Sequence, residues 1–459
     1  MSLIASSHST LVLGLGATGL SVARFLTRSG RAFAVADSRL APANQAVFEA
    51  EFPHVSLYLG PLEADFLTQF SQVILSPGIA REEPAVAAAI AAGILVIGDI
   101  DLFVQEAAAP IVAITGSNGK TTVTTLVGEM AKACGKNVGV GGNLGVPALD
   151  LLNPSRELYV LELSSFQLES TRKLGAQVAC ILNLSDDHMD RYAAVPGARS
   201  PMQAYHRAKQ RIFFGAKQIV ANKDDPLTQA PLAEGVACVQ FGLGQPDLKD
   251  YGVLQDGAEF YLARGLTPLI NTRELRIRGR HNWANALAAL ALGDAVGLDL
   301  SHMLNTLKTF NGLPHRCEYV GTHQGVEYFN DSKATNVGAT LAAIAGMASR
   351  PQQLVLILGG DGKGADFSPL RAACRSATTD GGPVKAVVTL GRDGSAIATL
   401  LRPVVSVEEG SSLEDVVQRT ASLATEGDIV LLSPACASLD MFKNYEERGA
   451  MFAALVAQL

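Results

Sequence analysis

The segment AITGSNGKTTVTTL, Ala113 to Leu126, sets Gly116, Gly119, Lys120 and Thr121 directly after an apolar run. Glycine there permits the torsions and close backbone approach that aim successive N–H groups at phosphate oxygens. A helix opening at the same point adds the positive end of its dipole. In such a turn Lys120 counters the β- and γ-phosphates of a nucleotide and the Thr121 hydroxyl ligates Mg2+. Ser117, Asn118 and Thr122 fill the rest of the loop. The usual spacing needs a glycine where Ile114 stands, so the loop is a shortened variant. The alternative is a solvated turn between strand and helix.

A second glycine turn lies at the start, in LVLGLGATGL, with Gly14, Gly16 and Gly19 between a strand and a helix. Asp37 ends the next strand, 18 residues after Gly19, where a carboxylate reaches a ribose hydroxyl. Spacing alone invites a nicotinamide dehydrogenase. The same turn suits any nucleoside diphosphate, and tight packing of helix on strand is the non-functional alternative. Arg39 and the turn Ser76 to Ala80 are placed to complete such a site.

Further polar residues fall at strand ends. Glu162 follows LYVL, where it faces the phosphate loop and can hold Mg2+, or else simply meets solvent or caps a helix. Asp187, His188, Asp190 and Arg191 follow VACILNLS, which opens a metal or acid–base role for His188 beside the ordinary structural one. Lys209, in the helical stretch YHRAKQRIF, reads by spacing as a solvent-facing lysine. Asn282 and Asn285 open a helix, where they cap it or recognise a base. Arg316, Asp331, Lys333, Lys363 and Ser438 lie on turns around later strands.

Apolar strands alternating with helical patterns position all of these, which is the mark of parallel α/β sheets with ligands at the carboxyl ends of the strands. A length of 459 residues suggests about three domains. Breaks at Gly98-Asp99 and at FNGLPHR, Phe310 to Arg316, divide the chain into 1–98, 99–312 and 313–459. From Val236 to Ile277 short, polar-interrupted strands predict an antiparallel edge within the central domain. The net charge of −7 disfavours bulk attraction to nucleic acid or anionic lipid. Six scattered cysteines without a C-x-x-C pair indicate free thiols in a reducing cytosol. With no signal-like N-terminus and no apolar run long enough to span a bilayer, a cytoplasmic protein without membrane insertion is expected.

Taken in order, TGSNGKTT, GGNLG, LELSSFQLE, NLSDDHMDRY, GRHNWANALAALAL, GLPHRCE, NDSKATN, LGGDGKGADFSPL and SPACASLDMFKNYEERG resemble the Mur ligase family over essentially the whole chain. The likeness is greatest to its D-glutamate-adding branch. It implies an N-terminal Rossmann-like domain for a uridine nucleotide, a central P-loop-type ATPase domain and a C-terminal Rossmann-like domain for the amino acid. The first glycine turn then holds UDP and the second holds ATP.

By the same resemblance, Ala17, Thr18, Asp37, Ser38, Arg39 and Gly78 contact the uridine diphosphate, and Asn143 faces the substrate beside the metal site. Lys120 and Thr121 take the ATP phosphates, Thr121 and Glu162 hold one Mg2+, and His188 holds a second. Lys209 is implied to be carbamylated, its carbamate ligating the second Mg2+. Asn282, Asn285, Arg316 and Asp331 frame adenine, ribose and phosphate. Lys333, Thr335, Lys363, Ser438, Leu439 and Tyr445 receive D-glutamate. The implied reaction joins D-glutamate to UDP-N-acetylmuramoyl-L-alanine through an acyl phosphate, releasing ADP and phosphate, in peptidoglycan precursor synthesis by a monomer. Other amino-acid ligases of the family, the folylpolyglutamate branch included, share the ATP site and remain alternatives, as does a P-loop regulator that makes no product.

Overall fold

Short, β-branched apolar runs build three sheets in this computed structural model, which describes residues 10–143, 145–193, 195–230, 235–347, 353–375 and 382–459. The first sheet contains β1 (Thr10–Leu13), β2 (Phe33–Asp37), β3 (Leu57–Leu59), β4 (Gln72–Leu75) and β5 (Leu95–Ile97). Their order is β3-β2-β1-β4-β5 and every neighbouring pair is parallel. Both faces of β1 and β2 are buried, which a parallel sheet covered by helices requires. The connections reverse direction between β1 and β4, and that reversal opens a crevice at the carboxyl ends of the strands.

The second sheet repeats the device. It runs β11-β10-β9-β6-β8-β7, all parallel, with β6 (Ile111–Thr115), β7 (Val138–Gly142), β8 (Leu158–Glu162), β9 (Val178–Ile181), β10 (Gln218–Asn222) and β11 (Ala237–Phe241). The antiparallel stretch expected between Val236 and Ile277 is present but begins later than expected, because its first strand, β11, lies parallel to β10. The intervening residues 223–236 are long enough for a crossover, whereas antiparallel pairing uses a tight turn. Such turns come later: β12 (Tyr251–Asp256), β13 (Glu259–Arg264) and β14 (Thr267–Asn271) form the antiparallel meander, with Gly257 and Gly265 at positive φ between them.

The third sheet holds β15 (Glu318–His323), β16 (Val326–Asn330), β17 (Leu354–Gly359), β18 (Val384–Leu390), β19 (Ser406–Glu409) and β20 (Ile429–Leu432). It runs β15-β16-β20-β17-β18-β19, and only β15 is antiparallel to its neighbour. Alternate residues feed two cores, with Leu356, Leu358 and Leu431 on one face and Val355, Ile357 and Val430 on the other.

The chain gathers into two compact units. One comprises Met1–Leu184, Ala194–Phe241 and Ala288–Thr306 and contains the first two sheets; the other comprises Ser185–Ala193, Gly242–Leu287 and Leu307–Leu459 and contains the meander and the third sheet. All six cysteines are free. Among the described residues, no helix is long and apolar enough to cross a membrane.

Candidate functional site

The first glycine turn is built by a close crossing. A Cβ on Gly19, in the helix Ala17–Arg28, would stand 1.9 Å from the Gly14 carbonyl oxygen, so only hydrogen fits there. The Ser76 hydroxyl donates to that same carbonyl at 3.0 Å and ties the β4 turn to the β1 turn. Asp37 accepts the Leu15 N–H at 2.7 Å and both the backbone and guanidinium N–H groups of Arg39. Burial opposes ionisation of Asp37, but these donors outweigh it and hold the carboxyl at about 2. A fixed carboxylate with an exposed guanidinium beside it can address a ribose and a phosphate together.

These residues line a cleft of about 450 Å³. Thr18, Asp37, Ser38, Arg39 and Gly78 reach it from the first sheet, and Asn143 reaches it from the end of β7. Ala17 begins the helix but does not line the cleft. Gln167 does line it, and sequence reasoning missed that residue. Its backbone N–H donates to the capping Ser164 hydroxyl at 3.1 Å, while its side-chain amide donates to the buried Asp99 at 3.3 Å. The only signal was its place in the quoted motif LELSSFQLE.

The second turn leaves β6 at Thr115 and enters the helix Lys120–Ala133. Gly116 has φ +155° and Gly119, the N-cap, has φ +80°, torsions that a side chain resists. The Lys120 ammonium curls back over the loop and donates to the Gly116 and Ser117 carbonyls at 2.8 and 2.9 Å. Thr121 and Thr122 follow in the first helical turn. Asn183, which the sequence did not single out, clamps the loop: its amide oxygen accepts the Asn118 N–H at 2.8 Å and its amide nitrogen donates to the Asn118 carbonyl at 3.0 Å. Tyr205, also missed, meets the Ser117 hydroxyl at 3.0 Å.

Beside this loop stands Glu162, whose strand position pairs with Ile114. It is 3% exposed, and its Oε1 accepts from the Asn143 amide at 3.1 Å. Its Oε2 is buried without a hydrogen-bond partner. An orphaned carboxylate oxygen costs a few kcal/mol, about 1–3 for a neutral group and more for a charged one, unless a cation satisfies it. That donor set fits a hard divalent cation.

Lys209 corrects its spacing-based reading: it is 2% exposed, not solvent-facing. The helix Pro201–Gln210 buries Ala204, Tyr205, Ala208 and Lys209 on one stripe, and Lys209 belongs to the apolar face. Its Nζ donates to the Thr115 hydroxyl at 3.1 Å and to the Gly116 carbonyl at 3.0 Å, and lies 4.8 Å from the centre of the Tyr205 ring. The structure thus brings Lys120, Glu162, Asn143 and Lys209 to neighbouring strand ends of one sheet. His188, in the other compact unit, adopts φ +57° with Nε2 3.6 Å from the Asp187 carboxylate.

The remaining expected residues belong to that second unit. Asn282 and Asn285 lie within the helix Arg280–Ala295 rather than capping it. Asn282 donates to the Arg278 carbonyl at 2.8 Å, and Asn285 donates to Asn282 at 3.0 Å. Arg316 stands between His315 and Cys317, both at positive φ. Asp331 follows β16 and accepts from the Ser433 hydroxyl at 2.8 Å and the Cys317 N–H at 3.2 Å. Burial pushes its carboxyl up to about 7 against those donors and the Arg316 charge. Lys333 places its ammonium 4.0 Å from the centre of the Tyr445 ring. Lys363 has φ +52° and donates its N–H to the Asp361 carboxylate. The isolated bridge between Asp361 and Ala437 holds that turn beside Ser438, which is buried; Leu439 projects, 71% exposed. Thr335 follows on the β16 turn, its N–H bonded to the Lys333 carbonyl.

Three family models cover the chain in order: the Mur ligase MurD-like N-terminal domain over residues 8–98, the Mur ligase middle domain over 114–293, and the Mur ligase glutamate ligase domain over 315–436. A UDP-N-acetylmuramoylalanine--D-glutamate ligase from Pseudomonas fluorescens is 53% identical over 464 aligned positions, covering 100% of both chains. Among solved structures, a pseudomurein peptide ligase type C from Methanothermus fervidus matches with a TM-score of 0.60 at 17% identity, covering 98% of this chain and 100% of that one. The MurF ligase of Thermotoga maritima, solved in complex with ADP, gives 0.58 at 15% identity over 100% of this chain and 98% of that one. With three consecutive domain matches, a full-length relative and the same architecture of mixed α/β sheets, this chain belongs to the Mur ligase family.

Proposed function

We propose that this protein is an ADP-forming ligase that joins D-glutamate to UDP-N-acetylmuramoyl-L-alanine, in the cytoplasm, as a monomer serving peptidoglycan precursor synthesis. The observation that carries the chemistry is the Gly116–Thr121 turn beside the buried, unpartnered Oε2 of Glu162. The choice of substrates follows the full-length likeness to the D-glutamate ligase. Divisions near 98 and 312 separate uridine-nucleotide, ATP and amino-acid domains. On this reading the first glycine turn serves a nucleoside diphosphate rather than a nicotinamide.

The Gly116, Ser117, Asn118 and Gly119 backbone cradles the ATP phosphates, and Lys120 leaves its two loop carbonyls to meet the γ-phosphoryl group. Thr121 and Glu162 would hold one Mg2+; His188 and, once carbamylated, Lys209 are each proposed as ligands for a second. Bound there, the two ions supply charge neutralisation for phosphoryl transfer. The substrate carboxylate attacks the γ-phosphorus and ADP leaves. The D-glutamate amine then attacks the acyl phosphate, and phosphate departs from the tetrahedral intermediate. Thr18, Asp37, Ser38, Arg39, Gly78 and Asn143 orient the nucleotide end of the substrate. Asn282, Asn285, Arg316 and Asp331 hold the adenosine and phosphates of ATP, while Lys333, Thr335, Lys363, Ser438, Leu439 and Tyr445 hold the amino acid. Positioning and electrostatics supply most of the acceleration.

The decisive assay measures phosphate release from ATP with UDP-N-acetylmuramoyl-L-alanine and a panel of amino acids. Release that requires D-glutamate is expected. Release that ignores both the sugar nucleotide and the amino acid, or that prefers another amino acid, overturns the reading.

A further inference from the structure

The helix Tyr445–Val456 carries one side chain that the proposed chemistry does not use and that the fold nonetheless buries completely. Arg448 is 1% exposed, the largest fully buried side chain among the described residues. Among the described residues no carboxylate forms an ion pair with it. Its fork is spent on backbone and hydroxyl oxygens instead. Nε donates to the Ser332 hydroxyl at 2.9 Å, Nη2 to the Ser332 carbonyl at 2.8 Å, and Nη1 and Nη2 to the Cys436 carbonyl at 3.3 and 3.2 Å. The Asp440 charge acts on it only from beyond ion-pair distance. Burying a guanidinium without a directly paired carboxylate is costly, so a structural purpose alone would be served better by an apolar residue.

The contacts show what the cation holds. Ser332 sits between Asp331 and Lys333 on the turn after β16, and its hydroxyl donates onward to the Tyr445 carbonyl at 2.8 Å. Cys436 belongs to the turn after β20 that leads to Ser438, and its neighbour Ala437 bridges to Asp361, two residues before Lys363. Next along the helix, Gly449 lets the backbone close on β16: a Cβ there would lie 2.2 Å from His315 Nδ1 and 3.0 Å from the Asn330 amide. The Gly449 carbonyl accepts from that amide at 3.1 Å. One planar fork therefore spans the two turns, and through them the third, that present Lys333, Thr335, Lys363, Ser438 and Tyr445.

We propose that Arg448 is the positioning residue of the amino-acid site, fixing the turns after β16 and β20 against the helix that bears Tyr445. This rests on the assignment of those turns to D-glutamate. The guanidinium reaches both turns because its donors are splayed in a rigid plane; an ammonium is a point donor and cannot replace it. Burial lowers its proton affinity to about 10, so the charge persists at neutral pH.

The test compares Arg448→Lys, Arg448→Met and Ser332→Ala with the unaltered enzyme. Ser332→Ala removes the hydroxyl between Arg448 and Tyr445 while leaving the guanidinium in place. Expected is a KM for D-glutamate raised about 10- to 100-fold, the range of a lost charge-assisted hydrogen bond, with KM for ATP and for the sugar nucleotide within about twofold. Calorimetric ADP binding should stay unchanged in every variant that folds. If both Arg448 variants fail to fold, Ser332→Ala decides alone. An unchanged KM for D-glutamate, or a parallel rise in all three constants, overturns the proposal. Should the unaltered enzyme show no D-glutamate-dependent phosphate release at all, it is the functional assignment that fails, and the kinetics of the variants are then read with the amino acid the enzyme does use.

Discussion

Asn143 donates to one oxygen of Glu162 at 3.1 Å and leaves the other, Oε2, buried without a partner. The amide fixes which way the carboxylate faces, and the unclaimed oxygen is the one that the proposed Mg2+ would complete. Glu162→Gln is accordingly expected to lower turnover by about 10²-fold or more while the thermal midpoint of the ligand-free protein is kept or raised. Mg2+ with ADP should raise the midpoint of the unaltered protein by mass action and leave that of the variant nearly unmoved. Equal stabilisation of the two proteins by Mg2+ and ADP would sink the metal-ligand role.

Lys209 is buried between the phosphate loop and Tyr205, and the proposed carbamate would turn this cation into a carboxylate ligand. Lys209→Ala is expected to lose about 10²–10³ in turnover, with partial recovery in acetate or bicarbonate. The unaltered protein equilibrated with ¹³C-bicarbonate should show a carbamate resonance that the variant lacks. Absence of that resonance together with absence of rescue counts against carbamylation.

Asp331 gives a pH signature. Its ordinary value of 3.8 is raised to about 7 by burial, so the folded state keeps the proton that the unfolded chain has already lost. Between about pH 4 and pH 7 the folded form binds more protons, and stability conferred by this group falls as pH rises, by at most about 1.4 kcal/mol per pH unit. Above pH 7 the dependence ends. Urea unfolding of the protein and of Asp331→Asn at several pH values should show the difference between them shrinking or reversing in that sense. A flat difference, or stability rising with pH relative to the variant, contradicts the assignment.

Gly19→Ala probes the first turn. The new methyl would collide with the Gly14 carbonyl, forcing the helix Ala17–Arg28 off β1. We expect destabilisation of about 1–3 kcal/mol in urea and weaker binding of the sugar nucleotide, with ADP affinity intact. Unaltered affinity for the sugar nucleotide would separate this turn from substrate binding.

Much of this was legible in residue order alone. Alternating apolar strands and helical segments dictated parallel α/β sheets, because strands buried on both faces need helices between them. Gly116, Gly119 and Lys120 announced a phosphate loop, and Gly14 to Gly19 with Asp37 announced a nucleotide turn, since those chemistries depend on neighbours a few residues apart. What depends on distant segments could not be read so. Lys209 looked solvated because a single helical turn does not say which face meets β6. Asn183, though it opens the motif NLSDDHMDRY, and Tyr205 gave no sign of their role, which is to brace the loop from other elements. The direction of β11 likewise escaped, because pairing is settled by whether the connection crosses over. Only tertiary contact made Glu162 an unsatisfied oxygen and Arg448 a buried cation, because both properties are defined by what surrounds a group and not by what precedes it.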